Sequence, residues 1–90
     1  MVIWGAGPTG RLMFDLLSAE GANIEGVIEV HPRRIGGLKR GLAVWPIDKV
    51  KTLGDAILLV AVGAAGAREE IAAYLHRYDK VPGDDYLFVA

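Results

Sequence analysis

Apolar residues fall in short runs that alternate with helically spaced stretches, and glycine-rich breaks separate the two. Residues 1–4 read as a first strand, and residues 5–10 form a turn. Leu12, Met13, Leu16 and Leu17 then recur at i, i+1, i+4 and i+5, the stripe of an amphipathic helix whose apolar side faces a core. Gly21 is placed to stop that helix, since glycine takes the left-handed conformation there without steric cost. Residues 24–30 carry the β-branched residues of a second strand. Residues 31–41 form a basic loop broken by Pro32 and the Gly36-Gly37 pair.

The second half repeats the alternation. Residues 42–45 read as a short edge strand, and Pro46 opens a short helix to about residue 53 with Ile47 and Val50 facing inward. Residues 56–62 are apolar throughout, the pattern of a strand buried on both faces. Gly63-Ala64-Ala65-Gly66 is a second small-residue turn. Residues 67–78 form the last long helix, with Ile71, Leu75 and Tyr78 on one face. A turn over residues 81–85 leads to a closing strand over residues 86–89. Strands alternating with helices predict a three-layer α/β/α domain with right-handed crossovers. Its sheet is mainly parallel, with four strands plus the short edge strand.

Composition narrows this picture. The chain has 90 residues, of which 52% are apolar. A domain of this size buries only about 60–65% of its extended surface, so that apolar share suits a sheet covered on both faces or a piece that docks on a larger protein. The expectation is a single domain over residues 1–90, excised from or associated with a longer protein, because the first strand has no lead-in. There is no cysteine, which removes disulfides and thiolate metal sites. The longest apolar stretch, residues 56–67, contains two glycines and is far short of the roughly 18–20 residues that cross a bilayer. No membrane span is expected, and a cytoplasmic setting is. Residues 31–51 hold six Lys/Arg against the single acid Asp48, so this stretch carries +5 within a total of −1. Such a segment draws phosphates when it borders a nucleotide site; solvated loop charge accounts for it equally.

The chemistry centres on Gly5-x-Gly7-x-x-Gly10. With a strand before it and an amphipathic helix after it, this is the context in which a Rossmann-type turn holds a dinucleotide. Gly5 permits the tight turn, Gly7 lets the backbone approach a pyrophosphate, and Gly10 allows helix and strand to pack closely. Pro8 and Thr9 complete the turn; the helix amides make an anion site, and Thr9 adds a hydroxyl donor. A packing role without ligand explains the same glycines. A P-loop needs Lys and Ser/Thr where Arg11 and Leu12 stand, which excludes NTP hydrolysis of that type. Glu29, nineteen residues past Gly10, stands where an acid accepts from ribose hydroxyls, with Arg33 just beyond it. Gly63 follows the buried strand, where open α/β sheets bind ligands. Arg68 is placed to pair with a phosphate. His31 and His76 have no partners arranged as a triad or metal cluster, so no catalytic and no metal-ligating residue is expected. Trp4 and Trp45 are expected in packing, and Asp84-Asp85 in a turn.

These residues carry a resemblance. The run Val2-Ile3-Trp4-Gly5-Ala6-Gly7-Pro8-Thr9-Gly10-Arg11, then Val27-Ile28-Glu29-Val30-His31-Pro32-Arg33-Arg34-Ile35-Gly36, resembles the small Rossmann domains of bacterial glycan-pathway enzymes. Similar domains stand at the C-terminus of certain family 2 glycosyltransferases and at the N-terminus of sialic-acid-type sugar acyltransferases. Gly41-Leu42-Ala43-Val44-Trp45-Pro46 and Val60-Ala61-Val62-Gly63 occupy the matching later places. Those relatives usually carry Asp where Glu29 stands, and often another where His31 stands. The resemblance implies an accessory domain binding a nucleotide or nucleotide-sugar, such as a UDP-sugar, beside a separate catalytic domain. The alternatives are the NAD-binding half of an oxidoreductase and a docking domain with an empty pocket. The expected partners are a small-molecule nucleotide and an associated catalytic domain or second copy, with no nucleic acid.

Overall fold

The computed structural model describes residues 1–5, 7–30, 35–39 and 41–89. In chain order the elements are β1 (Val2–Trp4), α1 (Pro8–Ala19), β2 (Gly26–Ile28), β3 (Leu38–Lys39), β4 (Leu42–Trp45), a 3-10 helix (Ile47–Thr52), β5 (Leu58–Val60), α2 (Ala67–His76) and β6 (Tyr86–Phe88). They build one sheet in the order β3-β4-β2-β1-β5-β6. Every neighbouring pair is parallel except β3 with β4. The chain steps outward from β1 to β2 to β4, then crosses back to β5 and β6. The direction of winding therefore reverses between β1 and β5.

The apolar runs explain this order. β1 is hydrogen-bonded on both sides, pairing Ile3 with Val27 and with Leu59, and all three of its residues are buried. Alternation divides the strands between two layers. Val2, Trp4, Leu58 and Val60 pack with Val50, Ile71 and Leu75, beneath the 3-10 helix and α2. Ile3 and Ala61 face the other way, against Met13, Phe14 and Leu17 of α1. The three-layer α/β/α architecture with a mainly parallel sheet is as the sequence predicts.

Two glycines are required by close approach. A Cβ at Gly10 would lie 1.7 Å from the Gly5 carbonyl oxygen, so only glycine lets the start of α1 sit against the end of β1. A Cβ at Gly26 would lie 2.3 Å from ring carbons of Trp45, whose indole crosses β2 there.

Several boundaries and faces differ from expectation. Leu12 and Leu16 are not core residues but are 57% and 55% exposed. The inward side of α1 is set by Gly10 together with Met13, Phe14 and Leu17, which turns Leu12 and Leu16 outward. The 42–45 strand is not at the edge, because Leu38 and Lys39 pair with it in antiparallel fashion. The five expected strands are all present and parallel, and β3 adds a sixth from within the expected basic loop. The segment after Pro46 is a 3-10 helix, with Val50 buried as expected. α1 closes at Gly21 (φ 83), where Ala22 N–H donates to Leu17 O at 2.9 Å and Gly21 N–H to Ser18 O at 3.1 Å. These two bonds satisfy carbonyls that the helix end would otherwise leave open. No described helix is long and apolar enough to cross a membrane.

Candidate functional site

The ends of the central strands are held rigidly. One residue beyond each strand the parallel ladder continues: Gly5 N–H donates to Ile28 O at 2.8 Å, and Ala61 N–H donates to Trp4 O at 2.9 Å. Glu29 N–H donates to Trp45 O at 2.9 Å. Above this floor, where the winding reverses, lies a cleft of about 220 Å³. Gly5, Gly7, Pro8 and Thr9 line one side, Glu29 and Val30 another, and Ala61, Val62 and Gly63 the third, with Trp4 at the base. Open parallel sheets bind ligands at this kind of position, outside the carboxyl ends of the strands at the switch in winding.

Each wall has a local cause. Gly5 adopts φ +126, a conformation side chains rarely take, and a Cβ on it would meet Ala61 O at 2.6 Å. Gly7 is the extended N-cap of α1, Pro8 follows at the helix start, and no side chain caps the first turn. The leading amides of a helix lack intrahelical acceptors and carry the positive end of its dipole. Gly7, Pro8 and Thr9 of this helix start line the cleft. Glu29 is buried, 8% exposed, at the end of β2. Its Oε1 accepts from Val30 N–H at 3.0 Å, which fixes the carboxylate at the cleft wall. At Gly63 a Cβ would meet nothing within 4 Å. Its lack of a side chain serves no packing need and leaves the cleft open.

Six of the eight residues singled out from the sequence thus meet in one cleft: Gly5, Gly7, Pro8, Thr9, Glu29 and Gly63. Gly10 lies beneath them as the contact that lets the turn close. Arg33 and His31 lie outside the described residues. Arg68 borders a second hollow of about 220 Å³ that adjoins the cleft through Val62 and Gly63. Its guanidinium stands 5.2 Å from the centre of the Phe88 ring. His76 closes the last turn of α2. Trp45 is a packing residue with Lys49 over its ring at 4.5 Å. Asp85 turns back to accept from Val81 N–H at 2.6 Å. Among the described residues no group of three His, Cys, Asp or Glu is arranged to hold a metal.

Sequence reasoning missed a third hollow, of about 190 Å³, which shares Trp4 and Val30 with the cleft. Ile47, Glu70, Ile71 and Tyr74 complete it. Tyr74 meets Trp4 edge-on at 6.0 Å, and burial with a hydrogen bond to Tyr78 pushes its hydroxyl pKa up to about 12. The available signal was spacing: Glu70 and Tyr74 are four apart on α2 and so share a side of it.

This strand order and glycine turn are those of a Rossmann-type fold. Neither a family model nor a curated protein matches the chain. Solved structures do match. RSP, a Rex-family repressor, superposes with a TM-score of 0.73 at 24% identity over 98% of this chain and 51% of RSP. RSP in complex with beta-NADH gives 0.71 at 23% identity, over 99% of this chain and 52% of that one. RSP with beta-NAD+ and operator DNA gives 0.69 at 24%, over 97% and 48%. The chain spans about half the length of these structures, and at such identities the likeness is one of fold. The small Rossmann-like domain of the sequence reading is supported, while its glycan-pathway association has no counterpart among them. The expectation of no nucleic-acid partner is corrected, since this fold occurs in a repressor bound to operator DNA. A net charge of −1 describes this chain alone, and the matched chains are about twice as long.

Proposed function

We propose that this chain is a binding module for a nicotinamide adenine dinucleotide, held across the cleft at the carboxyl ends of β1 and β5. One observation carries the reading: the uncapped start of α1 and the buried carboxylate of Glu29 face the same cleft. The first supplies donors for a pyrophosphate and the second an acceptor for ribose hydroxyls. The amides of Gly7, Thr9 and Gly10 take the pyrophosphate, Pro8 fixes the helix start, and Gly5 keeps the turn closed. Glu29 holds the ribose, and Gly63 leaves room for the ligand to cross the switch in winding. When bound, the dinucleotide supplies hydride chemistry; the residues of this chain bind and orient it, and none is assigned a catalytic role.

The complexes of RSP with beta-NADH and beta-NAD+ support a dinucleotide over the nucleotide-sugar favoured by the sequence resemblance. Because the matched structures are about twice as long, the proposal includes a further domain or partner that responds to the bound cofactor. Thermal unfolding against NADH, NAD+, NADPH and a UDP-sugar tests it. At a hundredfold excess over the dissociation constant a ligand adds about 2.7 kcal/mol, several degrees for a domain of this size. NADH or NAD+ is expected to give that shift. A shift with the UDP-sugar alone, or with none of the four, contradicts the proposal.

A further inference from the structure

We propose that Glu70 reads the exocyclic amine of the adenine base, in the hollow that adjoins the cleft on its α2 side. This rests on the dinucleotide reading above and names what would make it selective for adenine. The hollow adjoins the cleft and shares Trp4 and Val30 with it. Val30 directly follows Glu29, so a base attached to a ribose held by Glu29 lies within reach of it. The walls are largely apolar: Trp4, Ile47 and Ile71, with the Tyr74 ring set edge-on at 79° to the Trp4 indole. Such a hollow offers a base apolar contact and few polar partners.

Among the described residues, Glu70 is the one charged group lining the hollow. A carboxylate only accepts hydrogen bonds. The Tyr74 hydroxyl is engaged with Tyr78 and stays neutral. Adenine presents an amine donor on its six-membered ring, whereas hypoxanthine presents a carbonyl oxygen at the same place. That oxygen carries no proton to offer the carboxylate, and the base's remaining donor, N1–H, stands on the neighbouring ring atom instead. Glu70 also stands in the first turn of α2 beside Glu69, where either acid favours the helix dipole. Glu69 lines the other hollow and not this one, which makes it the natural control.

Calorimetric titration with NADH and with its hypoxanthine analogue tests the assignment. The wild-type chain is expected to bind NADH about tenfold more tightly, the value of one charge-assisted hydrogen bond at a partly open site. Glu70→Gln should bind the two alike, because the amide either donates or accepts, and Glu69→Gln should keep the preference. Equal binding of the two by wild type, or a preference that survives in Glu70→Gln, overturns the assignment and leaves the dinucleotide reading standing. Binding of neither overturns both. The wild-type comparison decides even if a variant folds poorly.

Discussion

Replacing Gly10 with alanine sets two effects against each other, and the geometry decides between them. Gly10 is the third residue of α1, and alanine in a helix is favoured over glycine by about 1 kcal/mol. Against this, the new Cβ would lie 1.7 Å from the Gly5 oxygen and 2.7 Å from its carbon, both backbone atoms. Contacts under 3.0 Å are essentially never made by real Cβ atoms, so the start of α1 must withdraw from β1 by about 1.3 Å. That movement loosens Met13, Phe14 and Leu17 where they cover Ile3 and Ala61. Forced overpacking costs about 1–3 kcal/mol, and the upper part of that range applies because no flexible side chain can give way. The net loss is about 2 kcal/mol, which lowers Tm by about 10 °C in a domain of this size. Thermal unfolding followed by circular dichroism measures it, with Gly63→Ala as control. At Gly63 the added methyl meets nothing within 4 Å, so stability should hold to within about 0.5 kcal/mol. Unfolding of Gly10→Ala at or above the wild-type temperature would refute the packing argument.

Other outcomes follow from the same structure. Gly63→Ala should weaken NADH binding while Tm stays put, read by calorimetry beside the melt; unchanged affinity would remove Gly63 from the site. Leu75→Ala, at a fully buried position beneath the sheet, should cost about 2–5 kcal/mol in denaturant unfolding, whereas Leu16→Lys on the exposed side of α1 should cost under about 0.5 kcal/mol. Tyr74 bears on pH. Its folded pKa of about 12 lies above the ordinary 10.0, so its contribution is complete below pH 10 and is lost as pH rises towards 12. Tyr74→Phe should flatten that decline in stability, measured by denaturant unfolding at stepped alkaline pH.

Much of the fold was legible because its signals are local. The turn from Gly5 to Gly10, the apolar 56–62 run and the stop at Gly21 each rest on backbone geometry or unbroken hydrophobicity within a few residues. The faces of α1 were harder. Leu12 and Leu16 fit a helical stripe as well as Met13 and Leu17 do, and the choice was made by where Gly10 must touch Gly5. β3 was hidden because two residues, Leu38 and Lys39, are too few for any periodicity. The glycines of the turn could be read singly, since Gly5 at φ +126 and Gly10 against Gly5 each have a steric reason within a few residues. The hollow at Glu70 could not, because it is assembled from β1, the segment after β2, the 3-10 helix and α2 and exists only once the sheet has closed. The expectation of no nucleic-acid partner failed for a different reason: this fold also occurs in a repressor bound to operator DNA, and no motif within these 90 residues bears on that.

The most direct measurement is the amide spectrum of the isotope-labelled chain titrated with NADH. The largest shifts are expected at Gly5, Gly7, Thr9, Gly10, Glu29, Val30 and Gly63, with residues on the outer side of α1 and on β6 nearly still. Shifts concentrated on β6 or the outer side of α1, or none at saturating NADH, would contradict a dinucleotide site at the switch between β1 and β5.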